Sequence, residues 1–264
     1  MASALLTLSG VLTVAASAQR WWPACRIGAF DSGRCPERQD QAYDYSAPGD
    51  PWVQVGHAAE LHGAGVLILA AAVLLLPWVL AGHRPSRNMT LTAIAVSAGV
   101  AVWGLVILKN GLKGEGIGLP SMWLPALLWM IGLPVLSLVS AASTTPAPPR
   151  VTVARWAVVI RLIVATMPLI SEYMVAPANL SYSSYDTTPW AEAVDGSLLI
   201  GASVFLLLTL HRAPTPDTDT AHRSTTATDR PYGDKGRLQE SIQSPAVTPR
   251  QAVLSNRGST VVSS

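Results

Sequence analysis

Cys25 and Cys35 are the only cysteines, and they stand close together in a polar stretch that runs from Trp21 to His62. Two cysteines this near, in a segment expected outside the reducing cytoplasm, are read as one disulfide that stabilises a loop. Thiol–disulfide exchange normally uses a C-x-x-C or a second cysteine pair as a relay, and the chain has neither. At the end of the same stretch come His57, Glu60 and His62. Zinc proteases need H-E-x-x-H, which places two imidazoles one helical turn apart beside a general base. The order here is H-x-x-E-x-H, so on a helix His57 and Glu60 share a face and His62 points elsewhere. This spacing predicts a His–Glu pair at a membrane interface and calls for no metal or cofactor.

A second group of chemically capable residues lies among apolar ones. Arg161 interrupts an apolar run, and a charge at membrane depth costs a few kcal/mol unless it pairs, faces water or reaches the headgroups. Three turns later Glu172 returns to nearly the same helical face. The pair is expected to mark one polar stripe, with Arg161 either snorkelling or lining a solute path. Glu60, Glu172, Glu192 and Asp195 all fall at ends of apolar segments, which predicts an acidic rim. The arginines of the first loop (Arg20, Arg26, Arg34 and Arg38) are its natural partners, and charge reversal of a pair such as Arg34 and Glu192 is expected to show coupling.

The elements that must position these residues follow from composition. Half of the 264 residues are hydrophobic and 13% are charged. Leu61 to Ala81, Met89 to Leu108 and Leu119 to Ala142 contain no Asp, Glu, Lys or Arg. Each is long enough to cross about 30 Å of hydrocarbon at 1.5 Å per residue. Further spans are expected at about 156–174 and 194–210. Residues 1–18 form a first transmembrane helix, or a signal peptide cleaved near Ala16-Ser17-Ala18. The fold class is therefore all-α, a polytopic bundle of about six spans with a disulfide-stapled outer loop. Its parts are the first helix (1–18), an extracytoplasmic loop (19–58), a five-helix membrane region (59–211) and a disordered cytoplasmic tail (212–264). Pro125 and Pro134 predict a kink in the fourth span. Ala193, Ser197 and Gly201 suggest a small-residue stripe for close packing on the sixth.

Charge bias orients the set. The links holding Arg84 and Arg87, then Arg150 and Arg155, contain no acid, whereas 162–210 contains no Lys or Arg. By the positive-inside tendency both termini are cytoplasmic and the loop after the fifth span is external. Trp21, Trp22, Trp52, Trp123 and Trp190 are expected as an outer aromatic belt, Trp78 and Trp156 as an inner one, with Trp129 deep. The tail is rich in Ser, Thr and Pro, which disfavours burial and predicts disorder.

No phosphate-binding loop, dinucleotide fingerprint or nucleophile elbow occurs, and nothing in the sequence points to nucleic acid. The first expectation is a non-enzymatic plasma-membrane component that presents its folded outer loop to a membrane-protein partner or a second copy. The alternative is a small-solute or ion transporter that uses Arg161 and Glu172.

Overall fold

A computed structural model describes residues 1–45, 51–116, 123–143, 148–167, 170–182 and 187–211. The tail expected at 212–264, with Thr215, Ser244 and Thr248, lies outside the described residues, as do Pro120 and Pro168. Among the described residues the fold is all-α, with no strand.

The long helices are α1 (Ala2–Trp21), α3 (Ala58–Ala81), α4 (Arg87–Lys113) and α9 (Ala191–His211). A single turn, α2 (Cys35–Arg38), belongs to the loop between α1 and α3. The fourth apolar block is built from α5 (Trp123–Leu127), a π turn (Leu128–Gly132) and α6 (Leu133–Ala142). The fifth comprises α7 (Pro149–Thr166), a second π turn (Ser171–Val175) and α8 (Ala176–Leu180). Among the described residues, five helical segments are long and apolar enough to cross a membrane. A sixth is obtained if α7 and the Ser171–Leu180 helix, which meet at 94°, form one broken span. Large apolar side chains such as Leu91, Leu105, Ile131, Val153, Ile160 and Val204 remain exposed along these helices. A soluble surface rarely carries so many, whereas a lipid-facing one must.

Both π turns stand just before a proline, at Pro134 and Pro177. A proline ring collides with the carbonyl four residues earlier and supplies no N–H. One extra residue in the preceding turn relieves this, so Leu133 N–H bonds to Leu128 O, and Ala176 N–H to Ser171 O. The kink expected from Pro125 and Pro134 is thus a π turn.

The continuous fifth helix expected from the sequence is not formed. α7 ends at Thr166 and Met167 is extended, with φ −108° and ψ 94°. Met167 precedes a proline in the sequence, which disfavours the helical region for it. The three-turn register that put Arg161 and Glu172 on one stripe is therefore lost.

The bundle is held by interlocking pairs, α3 against α4 and α1 between α3 and α9. Its main core joins Leu6, Leu69, Val73, Leu76, Val100, Leu136, Val158, Leu162 and Leu206. The close crossing of α1 and α9 uses Gly10 and Gly196, not the expected Ala193–Ser197–Gly201 stripe. Ser197 is exposed and bonds back to Ala193 O, while Gly201 lies against Arg161. Ser3 and Thr7 extend that crossing with hydrogen bonds to Ser203.

A small cap is built on one end of the bundle from the chain between α1 and α3. Cys25 and Cys35 form a disulfide. With Trp21 and Phe30 they pack against Leu180, Tyr182 and Trp190. Gln39 ties the cap down by bonding Phe30 O and Tyr182 Oη, and its carbonyl accepts from Thr187 N–H. Closing a loop of this length removes unfolded-state freedom worth about 2–3 kcal/mol. A membrane-impermeant maleimide is accordingly expected to label Cys25 and Cys35 only after reduction. Cys25→Ser with Cys35→Ser should lower stability by that amount in thermal unfolding of the detergent-solubilised protein; unchanged unfolding would remove the staple's role.

Candidate functional site: an acidic cavity beside the cap

The site is best built from α1 outward. Ser9, Thr13, Ser17 and Arg20 recur every three or four residues and so lie along one face of that helix. All four are buried. Across from them, Glu192 and Asp195 stand in the first turns of α9, and the second π turn adds Ser171 and Glu172. α3 contributes His62, Val66 and Leu69, α4 contributes Trp103, and the first π turn and its approach contribute Ala126, Trp129 and Met130. With Asp44, Ala165, Thr187, Ala191 and Leu199, all of these except Ser17 and Arg20 line a cavity of about 270 Å³. Both π turns among the described residues therefore contribute to the same space, and π turns recur at functional sites in other proteins.

Its edge next to the cap is an ion-pair network. Arg20 has a fully buried side chain and donates from Nη1 to Glu192 Oε1 at 3.1 Å; Asp44 Oδ1 lies 3.6 Å away. Trp21 Nε1 donates to Glu192 Oε2 at 2.8 Å, and Ser17 Oγ donates to the same oxygen at 3.3 Å. The Arg20 guanidinium also sits 4.3 Å from the centre of the Trp21 ring, and Nη2 donates to Arg38 O. This refines one expectation and corrects another. Of the first-loop arginines, the partner of Glu192 is Arg20, while Arg34 is exposed on the cap. Trp21 is buried rather than part of an interfacial belt. One cause explains both: α1 continues past residue 18 to Trp21, which carries Arg20 and Trp21 inward to the start of α9.

Behind that network the polar groups are less well satisfied. Asp195 Oδ2 accepts from Ser171 Oγ at 3.4 Å, but Oδ1 is buried with no partner. Glu172 Oε1 accepts from Thr188 N–H at 3.3 Å. Neither carboxylate forms an ion pair among the described residues. Ser9 Oγ and His62 Nδ1 are likewise buried without a partner. The His62 ring lies 5.2 Å from that of Tyr45, whose phenol is pushed well above its usual range by burial and then by Glu192.

The remaining sequence candidates lie elsewhere. His57 Nδ1 is 3.1 Å from Glu60 Oε1, at the start of α3, and Gln54 Nε2 reaches the same carboxylate. The expected acidic rim is thus divided: Glu172, Glu192 and Asp195 converge on the cavity while Glu60 does not. Arg161 is also outside the lining. Its guanidinium covers the Phe205 ring at 4.4 Å and Nη1 contacts Ala157 O at 3.5 Å, so α9 shields it. At the opposite end His83 bonds the carbonyls of Arg84 and Ser143, which raises its pKa because both ring nitrogens then donate. No group of three His, Cys, Asp or Glu side chains among the described residues is arranged to hold a metal ion.

Sequence reasoning missed Ser9, Thr13, Asp44, Trp103 and Met130. The period of Ser9, Thr13, Ser17 and Arg20 was the available signal. Small hydroxyls facing one way in an apolar helix, ending in an arginine, mark a side turned towards protein rather than lipid.

These features define an all-helical bundle of membrane-spanning type that encloses an acidic cavity. No protein-family model, curated protein or solved structure matches the chain.

Proposed function

We propose that this protein is a multi-pass plasma-membrane carrier that takes a small solute into the acidic cavity from the cap side. Its chain would start and end in the cytoplasm, with α1 retained as a working helix. One observation carries the reading: a cavity inside an apolar bundle is lined by a carboxylate, Asp195, with an unpartnered buried oxygen. Leaving such a group unsatisfied costs several kcal/mol in an apolar bundle, and stability alone gives no reason to keep it. Broken helices that meet at a central site are also the usual architecture of carriers, because they free polar backbone to line a path. The orientation rests on the acid-free basic links at 82–88 and 148–155, and α1 supplies part of the cavity wall.

A second reading, a non-enzymatic subunit that presents the cap to a membrane partner, is favoured by Trp22 and Ile27. They are 59% and 76% exposed on the cap. A cysteine probe separates the two. Both native cysteines are in the disulfide, so Ala165→Cys puts a lone thiol in the cavity wall. A carrier predicts that impermeant thiol reagents reach it from the cap side and, in inverted vesicles, from the opposite side as well. Labelling from one side only would exclude translocation. If the protein also co-purified with a stoichiometric partner bound at Trp22 and Ile27, the subunit reading would replace it.

A further inference from the structure

We infer that the cavity takes a compact organic monocation, such as a primary or quaternary ammonium with an apolar body, with Asp195 as its main counter-charge. The inference rests on the cavity reading above and names the class of solute. Charge balance is its first basis. Arg20 is engaged by Glu192 and Asp44, which leaves Glu172 and Asp195 without a basic partner. Among the described lining residues the one base is His62, whose Nδ1 is buried without a hydrogen-bond partner. The walls therefore hold more acidic than basic side chains, which favours a cation over an anion.

The chemistry of the walls then limits the kind of cation. Divalent metals need several hard ligands in convergent geometry, and the described acidic and imidazole side chains do not provide one. Apolar and aromatic groups dominate instead, Trp103, Trp129, Met130 and Leu199 among them. An indole face attracts an ammonium through its quadrupole, and more so when water is excluded. An organic ammonium satisfies both surfaces, whereas a hydrated alkali ion would leave the indoles unused. Ser9 is an independent pointer. It is 1% exposed, lines the cavity, and its Oγ has no partner, so it offers an acceptor to an ammonium N–H. Size sets the last limit. At about 270 Å³ the space lies just under the roughly 300–1,000 Å³ usual for drug-sized ligands, so the solute is small.

Charge-selective thiol modification tests the inference on the full chain in detergent or vesicles. Ser9→Cys would be reacted with a trimethylammonium and with a sulfonate methanethiosulfonate. Their rate ratio is normalised to that of free 2-mercaptoethanol. The expected preference for the cationic reagent is about tenfold or more, the size of effect produced by a cleft of one charge sign. Asp195→Asn combined with Glu172→Gln should remove most of it. Phenylethylammonium should slow the cationic reaction, and phenylacetate should not. Ala165→Cys serves as a second probe if Ser9→Cys does not fold. A normalised ratio near one, or equal protection by phenylacetate, overturns the cation while the cavity itself stands. Failure of both reagents to reach either thiol overturns the cavity and the cation together.

Discussion

Arg20→Ala is expected to destabilise the folded bundle by about 3–5 kcal/mol, the cost of breaking a buried ion pair by removing one partner. The magnitude follows from what is left behind. Glu192 would keep its bonds from Trp21 and Ser17 but lose its one ion-pair partner among the described residues, and the contact of Asp44 with Arg20 would go too. The void in place of a fully buried guanidinium would add a packing loss beside Trp21. Arg20→Lys should recover part of the loss, because one ammonium reaches Glu192 without spanning to Arg38 O as well. Arg20→Met with Glu192→Leu is the informative partner. Removing both charges should cost markedly less than removing Arg20 alone, since Glu192 is then no longer left as a buried charge without Arg20, while Asp44 loses Arg20 in either case. Denaturant unfolding of the wild type, Arg20→Met, Glu192→Leu and the double replacement in one detergent gives the double-mutant cycle. Equal losses for Arg20→Ala and the double replacement would show that the pair contributes through packing alone.

Much of this architecture was legible because membrane spans are written in block hydropathy, which needs no tertiary knowledge. α3 and α4 fall where uncharged runs of the right length occur, and the disulfide joins the only two cysteines. What the sequence hid was register across helices. Arg34 and Arg20 are equally plausible partners for Glu192 until the end of α1 is known. A shift of three residues, from Ala18 to Trp21, decides between them. The break after Thr166 had a local signal in Pro168, yet a proline within an apolar run can kink a helix or end it. Neighbouring helices decide which, and the same break separates Arg161 from Glu172. The cavity was least legible, because its wall draws between one and four residues from each of several helices. The carboxylates on α9 and the π turn were singled out, but their convergence with Ser9 and Trp129 is a property of packing.

The α1–α9 crossing gives the other large expected effect. Gly196→Ala should destabilise the protein by at least about 3 kcal/mol, the upper part of the overpacking range. Helix propensity alone argues the opposite sign, since alanine is favoured over glycine by about 1 kcal/mol inside a helix. Sterics override it here. A Cβ at Gly196 would lie 2.6 Å from Gly10 O and 3.0 Å from Val14 N. A Cβ at Gly10 would run into Gly196 O in the same way. These obstacles are backbone, which cannot rotate aside, so the two helices must separate along their contact. Gly201→Ala is the control within the same helix. Its new methyl would meet Arg161 Nε at 2.9 Å, part of a long flexible side chain that can move, so the propensity gain should largely survive. Stability measured on both variants therefore isolates backbone contact from helix propensity. The crossing also governs the cavity, because α1 carries Ser9 and Thr13 while α9 carries Glu192, Asp195 and Leu199. Moving the helices apart widens the space between them. Gly196→Ala is thus expected to speed labelling of Ser9→Cys and weaken its charge preference, and Gly201→Ala to leave both unchanged. Equal labelling in the two variants would mean that the cavity's width is set by the other helices rather than by this glycine contact.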